Sequence, residues 1–470
     1  MTIRLRDTLT GELRPLEPLE PGHVGVYSCG PTVYGPAHVG NFRSFLFADV
    51  LVRHLRRRGL RVTWVMNLTD VDDKIIRGAA AEGVGIEALS ERWTARFMED
   101  ARTLRMTSPD VLPRATAHVP QMVTLVERLL ATGHAYRTDD GSVFFRIASW
   151  PAYGRLARLD PEQLRVGERV AADEYAKDDV RDFVVWKGPK PGEPSWDTAI
   201  GPGRPGWHLE CSAMSMHYLG ESFDIHTGGV DLVFPHHEDE IAQSEAATGK
   251  SFVQTWLHCA HLQMGGRKMA KSEGNIARVS DLVEAGVSPR ALRYALLAAH
   301  YPAGLSFSEE SLSAAAAAVD RLDAVVAALR AYRSDTPDDP ALPGVLDAAR
   351  EAFDAALDDD LAISPALAAV FDLVRELNRR LADRALSTAD AGTALDALLD
   401  VDAVLAVLPD ESGTMDQDVE VLLLARADAR ASRDWAASDR LRDELAALGI
   451  VVEDTRDGPR WRPAGSPTGA

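Results

Sequence analysis

The stretch YSCGPTVYGPAHVGN, residues 27–41, combines residue types that bind metals with residue types that bind phosphates. A lone thiol, Cys29, is followed by a turn-rich loop and then by His38 and Asn41. β-Forming residues before Cys29 predict a strand, and helically spaced apolar residues after Asn41 predict a helix. Free N–H groups and the helix dipole favour anions at such a corner, so a nucleotide phosphate is the expected ligand.

Two further segments supply possible metal ligands. Cys211 lies in GWHLECSAM, and in FPHHEDEIAQS the residues His236 and Glu240 are four apart, on one face of a helix. With Cys29 they offer sulfur, nitrogen and oxygen donors suited to zinc, although the spacing matches no compact zinc-finger pattern. On these residues alone His237 can replace His236. The cysteines can equally be small core residues beside a solvated helix start.

The segment GGRKMAKSEGN, residues 265–275, holds two lysines three positions apart. Lys268 and Lys271 lie in a glycine-flanked loop that can close over a triphosphate and offset the charge on departing pyrophosphate. An isolated pair of this kind is more often an exposed basic turn. Here it accompanies the other two segments, which favours the nucleotide interpretation.

Alternating strands and helices must position these groups. Residues 24–115 alternate between predicted strands and helices, as is typical of βαβ units. One predicted helix ends at Arg58 and another spans about Ile86 to Leu104. The alternation resumes at FDIHTGG. A looser segment between them predicts an insertion, and alanine-rich helices past residue 312 predict a bundle. The predicted class is α/β: a Rossmann-like parallel-sheet nucleotide-binding catalytic domain with an insertion, then an α-helical bundle and a small mixed C-terminal module.

Composition narrows the possible classes of protein. The chain has 470 residues, 46% hydrophobic content, three cysteines and a net charge of −20. It contains no apolar run of about 18 residues and no signal-like N-terminus, so a cytoplasmic protein without a membrane segment is expected. Three scattered cysteines do not build a disulfide framework. The charge argues against polyanion binding over the whole surface and leaves local basic patches available.

Five segments, in order, resemble the cysteinyl-tRNA synthetase family of class I aminoacyl-tRNA synthetases: CGPTVYGPAHVGN, NLTDVDDKI, GRPGWHLECSAM, FDIHTGGVDLVFPHHEDEIAQSEA and KMAKSEGN. The resemblance covers essentially the whole chain. It implies ATP-dependent ligation of L-cysteine to tRNA(Cys) through a cysteinyl-adenylate, by a monomer. Two positions depart from the class I pattern. Asn41 stands where a second histidine is general, and Ala270 replaces a serine.

The resemblance also implies roles for individual residues. One zinc ion per subunit would be held by Cys29, Cys211, His236 and Glu240, with the substrate thiolate as an additional ligand. ATP, accompanied by Mg²⁺, would be bound by His38, Gly40, Asn41, Gly228, Gly229, Lys268 and Lys271, of which His38, Asn41, Lys268 and Lys271 are catalytic. Cysteine would be bound by Cys29, Thr69, Trp207, His226 and Asp231. The tRNA would be contacted by Arg430, Trp435, Asp439 and Asp454.

The same resemblance divides the chain. Residues 1–115 and 201–258 would be the two halves of the Rossmann-like domain, and 116–200 the connective insertion. Residues 259–311 would be the KMAKS loop and stem-contact region, 312–410 the helical tRNA-binding bundle and 411–470 the anticodon-binding module. Outside these roles, Cys259 is expected in the core. Asp70, Asp72 and Asp73 are expected to support the pocket and cap a helix rather than bind a metal.

Two other functions are compatible with parts of this pattern. A cysteine ligase of the mycothiol pathway resembles the same catalytic core but lacks a full anticodon-binding end. The continuation DWAASDRLRDELAALGIVVED therefore favours the synthetase. A non-catalytic zinc- and RNA-binding paralogue would have no need of His38, Asn41, Lys268 and Lys271.

Overall fold

The computed structural model describes residues 2–158, 181–264, 267–268, 276–409, 422, 426, 429–430, 434–447, 450–455 and 458–463. The chain forms two compact units, residues 1–408 and 409–470. The strands are β1 (Arg4–Arg6), β2 (Leu13–Pro15), β3 (His23–Ser28), β4 (Arg61–Met66), β5 (Ala135–Arg137), β6 (Val143–Phe145), β7 (Phe183–Lys187), β8 (Arg204–Pro205), β9 (Phe223–Gly229), β10 (Val253–Cys259), β11 (Leu262–Met264), β12 (Arg267–Lys268), β13 (Leu305–Phe307), β14 (Ile450–Thr455) and β15 (Gly458–Pro463). The helices are α1 (Val39–Arg57), α2 (Asp73–Glu82), α3 (Ile86–Thr103), α4 (Val119–Ala131), α5 (Trp207–Leu219), α6 (Glu238–Thr248), α7 (Val279–Glu284), α8 (Pro289–Leu297), α9 (Glu309–Ala331), α10 (Leu342–Asp358), α11 (Ile363–Ala382), α12 (Thr388–Leu405) and α13 (Trp435–Ala447).

A four-stranded parallel sheet in the order β10-β9-β3-β4 lies at the centre of the first unit. Its strands are almost wholly buried, as expected for a parallel sheet covered on both faces. The register pairs Tyr27 with His226 and Ser28 with Thr227, so these two strands end together. Ligands of open α/β sheets bind beyond the carboxyl ends of the strands, and Cys29 and the chain after Gly229 lie there. The predicted α/β class is confirmed.

The inserted region forms a separate antiparallel sheet in the order β5-β6-β7-β8. A cluster of charges fastens it to the start of α2. Lys187 of β7 and Arg204 of β8 both donate to Asp73, at 2.8 and 2.5 Å. Asp72 caps α2 by accepting from the Lys74 N–H, and Asp70 accepts from Thr116. The expectation that these acids cap the following helix is confirmed for Asp72, and their support of the pocket stays a prediction.

Helices α8, α10 and α12 contact α1, and α9 and α11 pack against those helices. A buried ion pair joins α8 and α1, because the Arg293 guanidinium of α8 donates to Asp49 of α1 at 2.7 Å. The same guanidinium also donates to the Leu405 carbonyl at the end of α12 and to the Leu104 carbonyl after α3. Removing one partner of such a pair leaves a buried charge without compensation, so loss of either residue is expected to destabilise the packing of α8 on α1.

The second unit is described by itself. Its helix α13 begins at Trp435, and β14 and β15 form an antiparallel hairpin in which Val452 pairs with Trp461. No helix in the described part of the chain is both long enough and apolar enough to cross a lipid bilayer.

Candidate functional site

Two thiols, an imidazole and a carboxylate meet beyond the end of β3. Cys29 directly follows β3, Cys211 lies on α5, His236 lies in the turn Val233–His237 before α6, and Glu240 lies in the first turn of α6. All four side chains are buried, and their potential ligand atoms lie within 4.8 Å of one another. The structure therefore brings together the four residues that the sequence suggested as zinc ligands.

The distances between these ligand atoms suit a tetrahedral metal. Zinc bonds of about 2.3 Å to sulfur and about 2.0 Å to nitrogen or oxygen separate tetrahedral ligands by roughly 3.3–3.8 Å. The Sγ atoms of Cys29 and Cys211 are 3.7 Å apart, and Cys29 Sγ lies 3.8 Å from Glu240 Oε1. His236 Nε2 lies 3.1 Å from the same oxygen. The donor set thus fits a small, borderline-soft cation.

A second set shares Cys29 and Glu240 but replaces the other two ligands with His226 and His237. Its geometry is less regular around one point. His237 Nε2 is 3.3 Å from Cys29 Sγ but 3.9 Å from Glu240 Oε1, and His226 faces the other oxygen, Oε2, at 3.1 Å. A carboxylate whose second oxygen accepts from a histidine is typical of the support around a metal ligand.

The pKa values within the cluster favour negative charge on Cys211 and Glu240 and positive charge on His236. A hydrogen bond from Cys29 lowers the pKa of the Cys211 thiol to about 6, whereas burial raises that of Cys29. Burial opposes ionisation of Glu240, but His226 and His236 outweigh it and lower its pKa to about 2. Burial likewise opposes a charge on His236, yet Cys211 and Glu240 raise its pKa to about 10. An imidazolium here takes the position of positive charge that a metal ion would supply.

Around His236 lie the expected pocket residue Trp207 and two residues that were not predicted from the sequence, His208 and Asp239. His208 Nδ1 lies 2.9 Å from His236 Nδ1, and His208 Nε2 lies 3.3 Å from Asp239. Trp207 stacks on the His236 ring with the centroids 4.1 Å apart. His208 directly follows Trp207, and Asp239 directly precedes Glu240. In the sequence, the only indication of a role for either residue is its position next to a predicted site residue.

His237 takes part in a separate chain of hydrogen bonds. Its Nδ1 lies 2.7 Å from His258 Nε2, and His258 Nδ1 lies 2.8 Å from the Thr8 hydroxyl. Burial and the surrounding histidines lower the pKa of His237, and burial lowers that of His258 to about 3. Both rings are thus neutral bridges between β10 and the cluster.

The first turn of α1 is closed by His38 and Asn41. His38 Nδ1 accepts from the Asn41 N–H, and Asn41 Oδ1 accepts from the His38 N–H, which is a reciprocal capping box. A neutral His38 ring therefore carries its proton on Nε2. A side chain at Gly40 would lie only 3.0 Å from the His38 ring, so glycine leaves room for this geometry.

The glycines after β9 have close neighbours within the protein. A Cβ at Gly228 would lie 2.6 Å from the His237 ring, and one at Gly229 would lie 2.6 Å from Asp231 Oδ1. Gly228 is therefore needed for the packing of His237, a reason independent of the nucleotide approach expected from the sequence. The Asp231 side chain is about half exposed and faces His261 at 3.9 Å.

Thr69 and Glu210 are hydrogen-bonded to each other, and Glu210 directly precedes Cys211 on α5. Thr69 is buried, its N–H donates to the Pro31 carbonyl, and its hydroxyl accepts from Asn67. Glu210 is fully buried and hydrogen-bonded to Thr69, and burial raises its pKa. The other Glu210 oxygen has no hydrogen-bond partner within the described part of the chain. The sequence analysis missed Glu210, whose only signal was its position next to Cys211.

The remaining predicted residues are described in part. The backbone of Lys268 lies in β12, and its side chain is outside the description. Ala270 and Lys271 lie outside the described residues. In the second unit, the Arg430 guanidinium lies 5.7 Å from the Trp435 ring, which is 57% exposed, and Asp439 pairs with Arg442. Asp454 is in β14, and its side chain lies outside the description. Cys259 is buried, as expected, and burial raises its pKa to about 11.

Three family models match successive parts of the chain. The model described as "tRNA synthetases class I (C) catalytic domain" matches residues 15–317. The "DALR domain" model matches residues 352–409, and the "Cysteinyl-tRNA ligase anticodon binding domain" model matches residues 412–462.

Individual proteins match along nearly the whole chain. A cysteine–tRNA ligase from Solibacter usitatus (strain Ellin6076) is 44% identical over 472 residues, covering 98% of this chain and 100% of that protein. One from Koribacter versatilis (strain Ellin345) is 42% identical over 500 residues, with 98% and 100% covered. Among solved structures, Mycobacterium tuberculosis methionyl-tRNA synthetase bound by methionyl-adenylate has a TM-score of 0.57 at 19% identity, covering 88% of this chain and 96% of that one. At that identity the likeness concerns the fold alone.

Proposed function

Because the chain belongs to the cysteine–tRNA ligase family of class I aminoacyl-tRNA synthetases, we propose that its buried cluster recognises the thiol of L-cysteine while the start of α1 binds ATP. Ligation of cysteine to tRNA(Cys) is the activity of the family. The assignment of particular residues to the steps of that reaction is our proposal.

We assign the metal ligands to Cys29, Cys211, His236 and Glu240. The regular spacing of their ligand atoms and the contact of His226 with the second Glu240 oxygen support this set over the one containing His237. A zinc ion held there would supply a soft Lewis acid at which a thiol ionises near neutral pH and a hydroxyl does not. A pocket that measured size alone would separate serine from cysteine by only about 1–3 kcal/mol.

Around this set, the chain provides the walls of an amino-acid pocket. Trp207 and Thr69 line it beside the thiols, and His226 holds Glu240 from behind. Asp231, at the edge of the crevice, is the proposed partner of the substrate ammonium. The substrate carboxylate would then point towards the start of α1.

The proposed reaction has two steps and uses no protein nucleophile. A cysteine carboxylate oxygen attacks the α-phosphorus of ATP, the bond to the bridging oxygen breaks, and pyrophosphate leaves with that electron pair. A terminal ribose hydroxyl of the tRNA then attacks the carbonyl carbon, and AMP leaves. The protein contributes orientation and stabilisation of the developing phosphate charge.

We assign ATP binding to the first turn of α1 and to the lysine segment. The capping box directs the His38 Nε2–H and the Asn41 amide as donors at a helix N-terminus, where anions are favoured. Gly40, Gly228 and Gly229 allow close approach of the backbone, and Lys268 with Lys271 would offset the charge on pyrophosphate. Mg²⁺ would be bound largely by phosphate oxygens and water.

The rest of the proposal concerns tRNA and the state of the protein. Arg430, Trp435, Asp439 and Asp454 are proposed contacts for unpaired anticodon bases, since arginine and aspartate read base edges and aromatic rings stack on bases. The domain boundaries expected from the sequence, the monomeric state and the cytoplasmic location belong to the same proposal.

The buried four-residue cluster carries this proposal, and cysteine-dependent ATP–pyrophosphate exchange tests it. Exchange with cysteine, little with serine, and subsequent charging of tRNA(Cys) are expected. Exchange without charging would instead favour the cysteine ligase of the mycothiol pathway, and zinc binding without exchange would favour the non-catalytic zinc- and RNA-binding paralogue.

A further inference from the structure

Arg43 lies two residues beyond Asn41 on α1, and its side chain is only 2% exposed. Its guanidinium donates to four main-chain oxygens. Nη1 donates to the carbonyls of Ala260 and His261 at 2.7 and 2.9 Å, and Nη2 to those of His300 and Ala303 at 3.4 and 2.5 Å. A planar fork of fixed donors matches this arrangement, and the single ammonium of lysine does not.

These carbonyls lie just before two strands of a small sheet. Ala260 and His261 are the two residues between β10 and β11, and His300 and Ala303 precede β13. β11 pairs with β13 on one side and with β12 on the other. Gln263 of β11 pairs directly with Lys268 of β12. Arg43 thus holds the two chain segments that lead into the sheet carrying the backbone of Lys268.

The start of α1 holds the same region from the other end. The Val39 N–H donates to the Ala277 carbonyl at 3.0 Å, beyond the KMAKS segment. A Cβ built on Gly40 would lie 3.8 Å from Leu262 Cβ, at ordinary contact distance. The helix that begins with His38 and Asn41 is therefore in contact with the chain on both sides of the lysine segment.

We propose that Arg43 is a positioning residue that sets the β11–β12 hairpin against the N-terminus of α1 for adenylate formation. The inference rests on the proposed function, because it gives Arg43 a purpose only if His38, Asn41 and Lys268 act on the same ATP molecule. Arg43 itself touches no reacting atom. It aligns the two elements whose donors must reach the phosphates together.

Arg293 provides a matched control for the possibility that Arg43 only stabilises the fold. That residue is also fully buried, and it also donates to main-chain carbonyls, those of Leu405 and Leu104. Its contacts join α8 to the ends of α12 and α3 and, through Asp49, to the middle of α1, and none of these contacts involves a residue of the β11–β12 hairpin. Arg293→Lys therefore reports the effect of weakening a buried arginine that does not hold the hairpin.

The experiment measures cysteine-dependent ATP–pyrophosphate exchange by the full chain, with melting temperatures, for Arg43→Lys, Arg43→Gln and Arg293→Lys. We expect Arg43→Lys to lower kcat/KM for ATP by about tenfold or more and Arg43→Gln to lower it further, because each step removes carbonyl contacts. The KM for cysteine should stay within about twofold, since the metal cluster is untouched. Arg293→Lys should lower the melting temperature and leave both constants within about twofold.

Three results would overturn the inference. The first is an Arg43 variant, either lysine or glutamine, that is folded and keeps the wild-type kcat/KM for ATP. The second is an equal loss of kcat/KM for ATP in the Arg293 variant. The third is a parallel loss for ATP and for cysteine in the Arg43 variants. Absence of exchange in the wild-type chain would contradict the proposed function instead, so the two failures are distinguishable.

Discussion

At the residue scale, the choice between His236 and His237 decides how the cluster holds a metal. Both rings lie near Glu240, but His236 Nε2 is 3.1 Å from Oε1 and His237 Nε2 is 3.9 Å away. The second nitrogen of His237 contacts His258, which suits a supporting residue. The two histidines therefore form a natural pair of substitutions.

We expect His236→Ala to lower zinc affinity by more than about 100-fold, because it removes a direct ligand, whereas His237→Ala should lower it by about 10–100-fold as a supporting residue. Zinc content after dialysis against a graded chelator series, measured by atomic absorption, checks the order. A His237 variant that lost more zinc than the His236 variant would transfer the assignment to the second set.

His38 acts on the phosphates and not on the thiol in this account. His38→Ala should lower kcat for pyrophosphate exchange by about 100-fold, the usual cost of one donor to a developing charge. Zinc content and the KM for cysteine should be unchanged, as measured by metal analysis and cysteine titration. A variant that lost zinc together with activity would show that the α1 corner and the metal cluster are not separable.

The site residues that were predicted from the sequence lie in short motifs. The residues that were not predicted make contacts with residues far away in the sequence. Cys29, Cys211, His236 and Glu240 stand in recognisable segments. Arg43 reaches carbonyls more than 200 positions away, and Glu210 meets Thr69 only when α5 packs beside β4. Such contacts depend on tertiary packing, which residue types alone do not encode.

At the element scale, helix positions followed from periodicity more readily than strand order did. The helix expected from Ile86 to Leu104 is α3, which ends at Thr103, and the helix expected to reach Arg58 is α1, which ends at Arg57. The antiparallel sheet of the insertion was not predicted. Its strands are short, and Val143 pairs with Trp186, so no local signal marks the pairing.

The ion pairs of Asp73 with Lys187 and Arg204 join that sheet to α2, and we call them the Asp73 clamp. This clamp predicts a pH dependence of stability. Burial acts to raise the pKa of Asp73, but Lys187 and Arg204 outweigh it and lower the pKa to about 2. A depressed carboxyl pKa contributes stability above the unfolded value, about 4, and that stability is lost as the pH falls from about 4 to about 2.

Asp73→Asn should therefore lower the urea midpoint by the same amount at any pH from about 5 to about 8, with the difference shrinking only below about 4. Equilibrium unfolding in urea at several pH values measures this, with Glu87→Gln, an exposed acid in the first turn of α3, as the control. If the difference in urea midpoint between the wild-type protein and Asp73→Asn already narrowed between pH 8 and pH 5, the proposed contribution of the Asp73 clamp would be wrong.

At the scale of the whole molecule, the catalytic and RNA-reading functions belong to different parts of the chain. The cluster and the α1 corner lie in residues 1–408, and Arg430 and Trp435 lie in the second unit, where they are 5.7 Å apart. The net charge of −20 makes local arginines the natural contacts for tRNA. The two activities should therefore respond separately to substitution.

Arg430→Ala should reduce kcat/KM for charging of tRNA(Cys) by about tenfold, since one base contact contributes about 1–3 kcal/mol. Pyrophosphate exchange, which needs no tRNA, should be unchanged. The control is Arg440→Ala, which removes an exposed arginine of α13 in the same unit. Equal losses in exchange and charging would contradict the anticodon assignment.

The central claim is that Cys29 belongs to a zinc site that selects the substrate thiol. The most direct test compares the wild-type protein with Cys29→Ser in one assay series that measures zinc content and pyrophosphate exchange with cysteine and with serine. We expect Cys29→Ser to lose zinc and its preference for cysteine over serine to fall towards the level of size discrimination, about 10–200-fold. Full zinc content with undiminished rejection of serine in that variant would contradict this claim.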